Sequence, residues 1–344
     1  MSKITKNVHM ALQGGGSHGA FTWGILDKIL EDGRLNIDGL CATSAGSMNA
    51  VLFSYGRLKG GNEGAREILH NFWQDVSKAG HHPNEIPTPM DSFMLYWNLS
   101  VFDAISHAVS PYQFNPTNSN ILRDILSSHV DFEELRKGKS TNLFISATTV
   151  RTGKVRVFNT AEISLDVVMA SACLPYLFQA VKVDDEYYWD GGYTGNPAIF
   201  PLFYHGDTND VIIVHINPMV RSKLPVNSNE IMNRINEITF NSSLLSEFRA
   251  IAFVKKIIKE GWIKDEFKHN LRNIFVHSIR ADQALQDFNA TSKFDTHWHF
   301  LTNLRDLGRI EAKIWLDENF SAIGNKSTVN LRKDFLDEHT DGII

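Results

Sequence analysis

Cysteine is scarce in this sequence, with two in 344 residues. Cys41 and Cys173 stand far apart, which excludes a disulfide framework or a cysteine-rich zinc site and predicts a reducing environment. Two histidine pairs, His81-His82 and His297-x-His299, lack the carboxylates or cysteines that would complete a metal site. We therefore predict no bound metal and expect both cysteines to be small buried apolar residues.

Long apolar runs and an excess of positive charge are also missing. No apolar stretch reaches the roughly 18 residues that a membrane span needs, and the amino-terminal residues MSKITKNV contain no apolar signal-peptide region. The formal net charge of −5 argues against binding of nucleic acid through its phosphate backbone. These absences predict a cytoplasmic protein without a nucleic-acid partner, and the sequence does not indicate its oligomeric state.

What the sequence does have is an alternation of strand and helix patterns. Residues 7–12 and 37–43 are typical of buried strands, and each is followed by apolar residues at helical spacing, to Asp32 in the first case and from Ser44 in the second. A separate helix is predicted at 62–79. Later patterns predict a hairpin formed by 141–150 and 154–159, and then a helix at 161–174. Three more strands are predicted at 179–183, 186–189 and 210–217. This order predicts an α/β fold with a mostly parallel sheet covered by helices.

Beyond residue 216 the pattern changes to long helices. One apolar stripe comprises Ile231, Ile235, Ile238, Leu245, Phe248 and Ala252, and another comprises Leu301, Leu304, Leu307, Ile310 and Ile314. Residues 273–279 are typical of a strand that rejoins the sheet. We therefore divide the chain into a catalytic core, 7–216, and a mainly helical C-terminal region, 217–344.

The first turn between strand and helix contains Gly14, Gly15, Gly16 and Gly19, which satisfies the Gly-x-Gly-x-x-Gly pattern of dinucleotide sites. Such a site also needs an acidic residue at the end of the second strand, about 20 residues later. The second strand ends instead in CATSAGS, and Asp38 lies too early in that strand. A bound dinucleotide is therefore not favoured.

Ser44 stands between small residues where the second strand turns into a helix, as Ala42-x-Ser44-x-Gly46. This arrangement is typical of a nucleophile elbow, which exposes a serine hydroxyl above the sheet edge. The neighbouring glycine turn, Gly14 to Ser17, then offers backbone amides for an oxyanion hole.

A serine nucleophile needs a base, and two candidates remain open on the residues alone. One of the fourteen histidines could complete an α/β-hydrolase triad, but only one strand precedes the elbow strand here. The other candidate is Asp190, followed by Gly191 and Gly192, which allow close backbone approach.

Four blocks in order resemble the patatin-like phospholipases: GGGSHG, ATSAGS, ASACLPYLFQAV and DGGYTGNP. The resemblance implies a three-layer patatin-like fold and a lipid acyl hydrolase of phospholipase A or lysophospholipase type that needs no cofactor. It implies that Ser44 is the nucleophile, that Asp190 is the base and that Gly14, Gly15, Gly16 and Ser17 form the oxyanion hole. The implied partner is a lipid or acyl-ester substrate, met at a membrane surface.

Two residues depart from the family pattern. His18 replaces the usual arginine or lysine, and Ala42 replaces the first glycine of the elbow; both, with Gly19 and Gly46, are expected to support the site. If His18 supports the oxyanion loop through a charge that titrates near pH 6.5, His18→Arg should raise turnover at pH 8 and make no difference near pH 6.

Two alternatives stay open. The substrate could be a non-phospholipid ester or a polyester, or the chain could be a catalytically degenerate module that binds a lipid or a partner. The aromatic segment SFMLYWNLSVFDAI, 92–105, is interpreted as a core helix in preference to an interfacial segment or lid.

Overall fold

The computed structural model describes residues 4–80, 109–138, 140–206, 208–221, 223–264, 271–282, 284–285, 288 and 290–336. The predictions for the aromatic segment 92–105 and for His81-His82 lie outside these ranges.

One mixed sheet forms the centre of the described chain. Its strands are β1 (Lys6–Leu12), β2 (Leu35–Ala42), β3 (Asn142–Thr149), β4 (Val155–Asn159), β5 (Val181–Val183), β6 (Glu186–Asp190), β7 (Asp210–His215) and β8 (Phe275–Arg280). Their order is β5-β6-β3-β2-β1-β7-β8, with β4 paired to β3 outside this path. Strands β3, β2, β1, β7 and β8 are parallel, whereas β4 and β6 run antiparallel to β3. The predicted mostly parallel central sheet is confirmed.

The helices of the described residues alternate with the strands along the first half of the chain. They are α1 (Gly19–Asp32), α2 (Ala45–Ala79), α3 (Pro111–Phe114), α4 (Ile121–His129), α5 (Phe132–Lys137), α6 (Leu165–Ser171), α7 (Ser228–Lys259), α8 (Trp298–Asn319) and α9 (Leu331–Phe335). Gly33 ends α1 in the left-handed conformation, with φ of 70°, a geometry that glycine adopts without steric cost.

The sheet lies between two helical layers. Side chains alternate along β1, so Val8, Met10 and Leu12 face one side and Ala11 faces the other. The first set packs in one buried cluster with α1, α2 and α8. The second packs with Phe248 and other residues of α7 and with α9. Burial on both faces explains why the parallel strands are almost continuously apolar.

One predicted helix boundary agrees with the structure and another does not. The separate helix predicted at 62–79 is confirmed, because Gly60 and Gly61 have non-helical backbone angles, with a φ of 62° at Gly61, and divide α2 into two helical parts. Helix α6 ends at Ser171, before the predicted stop at Pro175.

The two predicted apolar stripes are only partly buried. On α7 the side chains of Ile231, Ile235 and Ile238 are exposed, whereas Phe248 is fully buried. On α8 Leu301 and Leu304 are buried and Ile310 and Ile314 are exposed. Helix α8 packs through a face that contains the buried residues Gly308 and Ala312. A Cβ atom on Gly308 would meet the carbonyl of Phe21, so glycine there permits a close approach to α1.

The C-terminal region contributes directly to the central layers. Strand β8 pairs in parallel with β7 over Asp210–His215, at the edge of the sheet. Because α8 covers α1 on the first face, residues beyond 216 complete both the sheet and one helical layer. The division of the chain at residue 216 stays a prediction.

Candidate active site

Ser44 lies between the end of β2 and the start of α2. Its backbone has φ of 56° and ψ of −127°, a conformation that costs a residue with a side chain about 1–3 kcal/mol and is typical of functional turns. The Ser44 amide donates to Ser171 Oγ at 2.9 Å, and that hydroxyl donates to the carbonyl of Ser146 at 2.7 Å. The strained turn is therefore held by buried hydrogen bonds.

The residues on either side of Ser44 must be small. A Cβ atom at position 46 would meet the carbonyl oxygen of Leu12, which explains glycine there. Ala42 is fully buried in the core opposite Leu12 of β1, so the packing accommodates its methyl group. Because Leu12 and Ala42 end neighbouring parallel strands, the glycine loop and the elbow lie side by side.

Asp190 is the last residue of β6 and is fully buried. Its Oδ1 atom accepts the Gly192 amide at 2.7 Å, while Oδ2 makes no hydrogen bond with the described residues. Burial raises the pKa of Asp190 to about 6; the Gly192 amide, the nearby Ser44 hydroxyl and Lys293 oppose this shift. The Ser44 hydroxyl is therefore close to the carboxyl without hydrogen-bond geometry, a looseness common in catalytic pairs without substrate.

The two glycines after Asp190 have no room for side chains. A Cβ atom on Gly191 would meet the carbonyl of Ser146, and one on Gly192 would meet the ring of Phe240. Because neither glycine has a side chain, the backbone can fold tightly around the Asp190 carboxyl.

The glycine loop divides into two parts. The Gly14 amide donates to Asn196 Oδ1 at 2.7 Å, and the Gly14 carbonyl accepts from Asn217 Nδ2 at 2.7 Å. Since its amide is already engaged, the prediction that Gly14 is an oxyanion donor is wrong. Gly15, Gly16 and Ser17 line the same cavity as Ser44, and their role as oxyanion donors stays a prediction.

His18 is buried behind the loop and does not carry a titrating charge. Its Nε2 atom lies 2.7 Å from Ser292 Oγ, and its ring packs near Phe288 and Phe300. Burial, followed by the charges of Lys293 and Arg221, lowers the pKa of His18 to about 3. The ring is neutral from pH 5.5 to 8.5, so the predicted pH-dependent support is wrong, and with it the reason for expecting His18→Arg to help.

Sequence reasoning missed Lys293, which lies beside the loop. Its ammonium group donates to Asn217 Oδ1 at 2.8 Å, and the side chain lines the cavity, where it keeps partial exposure. Burial of the ammonium lowers the pKa of Lys293 to about 8. No sequence signal indicated it, because residues 290–294 form a short 3-10 turn that matches no motif.

Gln13 was also missed, although it directly precedes the glycine cluster. Its Oε1 atom accepts from the amides of Ile216 and Asn217 at 3.0 and 3.1 Å, and its Nε2 atom donates to Asn241 Oδ1 at 3.0 Å. A buried amide with these partners fixes the loop against β7 and α7.

The cavity lined by Ser44 and Asp190 is mostly apolar and has a volume of about 180 Å³. Its walls come from α2, α4 and the segment after α6, and include Met48, Phe72, Val76, Ile125, Leu177 and Phe178. Such a wall suits a hydrocarbon chain.

The possible metal ligands of the described ranges are dispersed. There, no three or more His, Cys, Asp or Glu side chains are grouped so that they could hold a metal ion. No helix within those ranges combines the length and the apolar character required to cross a bilayer.

Comparison with solved structures finds distant likenesses. VipD from Legionella pneumophila has 12% sequence identity and a TM-score of 0.39 over 96% of this chain and 73% of that one. The type III effector protein ExoU has 14% identity and a TM-score of 0.38 over 92% of this chain and 54% of that one. Full-length ExoU from the type III secretion system of Pseudomonas aeruginosa has 11% sequence identity and a TM-score of 0.33 over 90% of this chain. The matched part is 53% of that chain, so this chain spans about half the length of ExoU.

Comparison with curated proteins found no match. The sequence profile of the family described as patatin-like phospholipase matches residues 10–203. The matched segment begins in β1, ends before β7, and contains the glycine loop, the elbow and the Asp190 turn. Because it covers more than half of the chain, the protein belongs to the patatin-like phospholipase family.

Proposed function

We propose that this protein is a lipid acyl hydrolase of phospholipase A or lysophospholipase type, in which Ser44 is the nucleophile and Asp190 the base. One observation supports the proposal most directly: Ser44, Asp190 and the loop residues Gly15 and Gly16 all line one apolar cavity. The cavity therefore combines a nucleophile, a buried carboxylate and exposed backbone with a wall for a hydrocarbon chain.

The reaction begins with an ester carbonyl between Ser44 and the loop. Asp190 takes the hydroxyl proton as Ser44 Oγ attacks the carbonyl carbon, and amides of Gly15, Gly16 and Ser17 stabilise the oxyanion. The tetrahedral intermediate collapses, the alkoxide leaves with the proton held by Asp190, and an acyl-serine remains. Water then gives a proton to Asp190 as it attacks the acyl-serine. The second tetrahedral intermediate collapses, Asp190 returns the proton to Ser44 Oγ, and the fatty acid is released.

The chemical environment of Asp190 fits a general base. With a pKa raised to about 6, the carboxyl is ionised at neutral pH yet is more basic than an exposed carboxylate. Its proton affinity therefore lies nearer to that required for accepting a hydroxyl proton.

The substrate class follows from the cavity wall. Residues such as Phe72, Val76 and Leu177 provide no polar recognition along the chain, so an acyl chain is favoured over a polar acyl group. A lipid substrate also implies peripheral contact with a membrane or micelle during turnover.

The test compares wild type with Ser44→Ala on vesicles of phosphatidylcholine, on lysophosphatidylcholine and on an aliphatic polyester, with release of free acid as the readout. Ser54→Ala is the matched control, since Ser54 is another buried serine on α2 whose hydroxyl contacts Ser140. We expect hydrolysis of the phospholipids by wild type and Ser54→Ala, and none by Ser44→Ala.

Labelling with a fluorophosphonate separates the remaining outcomes. Label on Ser44 with acid release only from the polyester would replace the phospholipid by another ester. A wild-type protein that neither labels nor hydrolyses any ester would contradict an enzymatic function and leave a lipid-binding or partner-binding module.

A further inference from the structure

Lys293 reaches the glycine loop from outside the segment that matches the family. It lies on the short turn Ala290–Phe294, before α8. The backbone carbonyl of Lys293 closes over Gly16, where a Cβ atom would collide with it. Gly16 has a φ of 58°, so both its conformation and its contact with Lys293 require glycine.

The ammonium group of Lys293 is joined to the loop through Asn217. Lys293 Nζ donates to Asn217 Oδ1 at 2.8 Å, and Asn217 Nδ2 donates to the Gly14 carbonyl at 2.7 Å. Phe240 packs under the ammonium, 5.5 Å from Nζ to the ring centroid. These contacts therefore fix both the position and the direction of the Lys293 side chain.

The charged and titratable groups that face Lys293 come from several elements. Burial has the largest effect on the pKa of Lys293 and lowers it; Glu237 and Asp190 raise this pKa, and Arg221 lowers it further. His18 is neutral, as its pKa of about 3 requires. Arg221 is engaged by the carboxylate of Glu237, with its Nε atom at 3.2 Å from Oε1. Among the described residues that line the cavity, Lys293 is thus the cation beside Ser44 and Asp190.

We infer that Lys293 supplies the positive charge that His18 does not, and that it positions the oxyanion loop through Asn217. Lys293 is a positioning and electrostatic residue that acts on the amides of Gly15 and Gly16. This inference rests on the proposed function, because it concerns the oxyanion of that reaction. The family's basic side chain within the loop is in this protein replaced by a lysine from the C-terminal region.

The charge of Lys293 has a predictable effect on the pH profile. The reaction needs Asp190 ionised, so kcat/KM rises as pH passes about 6. It also needs Lys293 protonated, so kcat/KM falls as pH passes about 8. The profile of the wild type is therefore bell-shaped, with its maximum near neutral pH.

The experiment measures kcat/KM from pH 5 to 9.5 for wild type, Lys293→Met and Lys293→Arg, with p-nitrophenyl butyrate as the substrate. This ester has no phosphate, so recognition of a headgroup cannot affect the result. Lys255→Met is the matched control, because Lys255 is also partly buried and bonded, through Nζ to the carbonyl of Ile274 at 3.1 Å, and does not line this cavity. Thermal unfolding of every variant reports on folding.

We expect Lys293→Met to lower kcat/KM at pH 7 about tenfold, less than the roughly 100-fold that follows loss of a direct oxyanion donor. Its decline above pH 8 should disappear, and its acid limb should move to higher pH, because Lys293 no longer lowers the pKa of Asp190. Lys293→Arg should recover most of the activity at pH 7 and keep it at pH 9, since arginine stays protonated there.

The results distinguish a failure of the role of Lys293 from a failure of the proposed function. If the wild type is active and both limbs of its pH profile are unchanged in Lys293→Met, the role of Lys293 is overturned, whatever the loss of activity. The proposed function would stay intact. A wild type that does not hydrolyse the ester or label at Ser44 would overturn the proposed function itself.

Discussion

Burial shifts the pKa values of three side chains at the candidate active site. It raises the pKa of Asp190 to about 6, lowers that of Lys293 to about 8 and lowers that of His18 to about 3. In each case the low polarity of the surroundings disfavours the charged form. At neutral pH the site therefore holds one carboxylate, one ammonium and one neutral imidazole.

The raised pKa of Asp190 predicts that Asp190→Asn stabilises the fold while it abolishes catalysis. The pKa of the Asp190 carboxyl is higher in the folded state than in the unfolded state. The folded protein therefore loses stability as pH rises from about 3.9 to about 6. Asparagine avoids that loss, so at pH 7.5 the variant should be more stable by on the order of 2 kcal/mol. Toward pH 4 the two proteins should converge, because the wild-type carboxyl is then protonated as well.

Urea unfolding at pH 4 and 7.5 measures this difference. The exposed Asp185, in the turn between β5 and β6, provides the control, since Asp185→Asn should leave stability nearly unchanged at both values. A variant Asp190→Asn that is less stable than wild type at pH 7.5 would show that the ionised carboxylate contributes bonds that asparagine cannot make.

Local motifs predicted the residues that lie on sharp turns. Ser44 stands two residues before Gly46 and Asp190 directly before Gly191, and the structure brings both side chains to one cavity. Their catalytic roles stay predictions. Gln13 and Lys293 were not predictable in this way, because what defines them is a partner more than 70 positions away. No spacing rule covers such contacts.

At the scale of elements, the strands were predictable and the buried faces of the long helices were not. A strand such as β7 is short, with four apolar residues between Asp210 and His215, so its pattern has one interpretation. A long helix such as α8 presents several apolar stripes, and the stripe that is buried depends on the shape of its neighbour. Here two glycines decide which stripe is buried, since a Cβ atom on Gly308 would meet the backbone of α1 and one on Gly24 would meet the backbone of α8.

This close approach predicts that Gly308→Ala separates α8 from α1. A Cβ atom at 308 would meet the carbonyl of Phe21, and Gly24 of α1 is equally close to the backbone of Arg305. Overpacking at such a contact costs about 1–3 kcal/mol, so Tm should fall by several degrees. Because α1 begins at the glycine loop, activity should fall too.

Gly60→Ala serves as the control, because nothing lies within 4 Å of the added methyl group there. Differential scanning calorimetry of both variants reads out the effect. Equal melting temperatures for Gly308→Ala and wild type would mean that α8 can shift away from α1 at no cost.

At the scale of the whole molecule, the catalytic core and the C-terminal region share one sheet and one buried cluster. Strand β8 pairs with β7, and Leu301 and Leu304 of α8 pack in the cluster that contains α1. A chain cut after residue 216 would expose the edge of β7 and uncover α1. We predict that such a chain shows no cooperative unfolding and no ester hydrolysis.

Circular dichroism during heating measures cooperativity in the shortened chain. Co-expression with residues 217–344 as a second chain is the matched control, and it should restore at least part of the activity. If the shortened chain alone melts cooperatively, then residues 7–216 fold independently, as the division drawn from the sequence implies.

The supports of the glycine loop also determine when, during folding, the loop can form. Gly14 is held by side chains 182 and 203 positions further along the chain, and Gln13 by one 228 positions away. Contacts of such high sequence separation form slowly, because long segments must be closed before they contribute. A nascent chain therefore presents Ser44 early but completes the loop only after Lys293 has emerged, so esterase activity should be among the last properties to appear during synthesis or refolding.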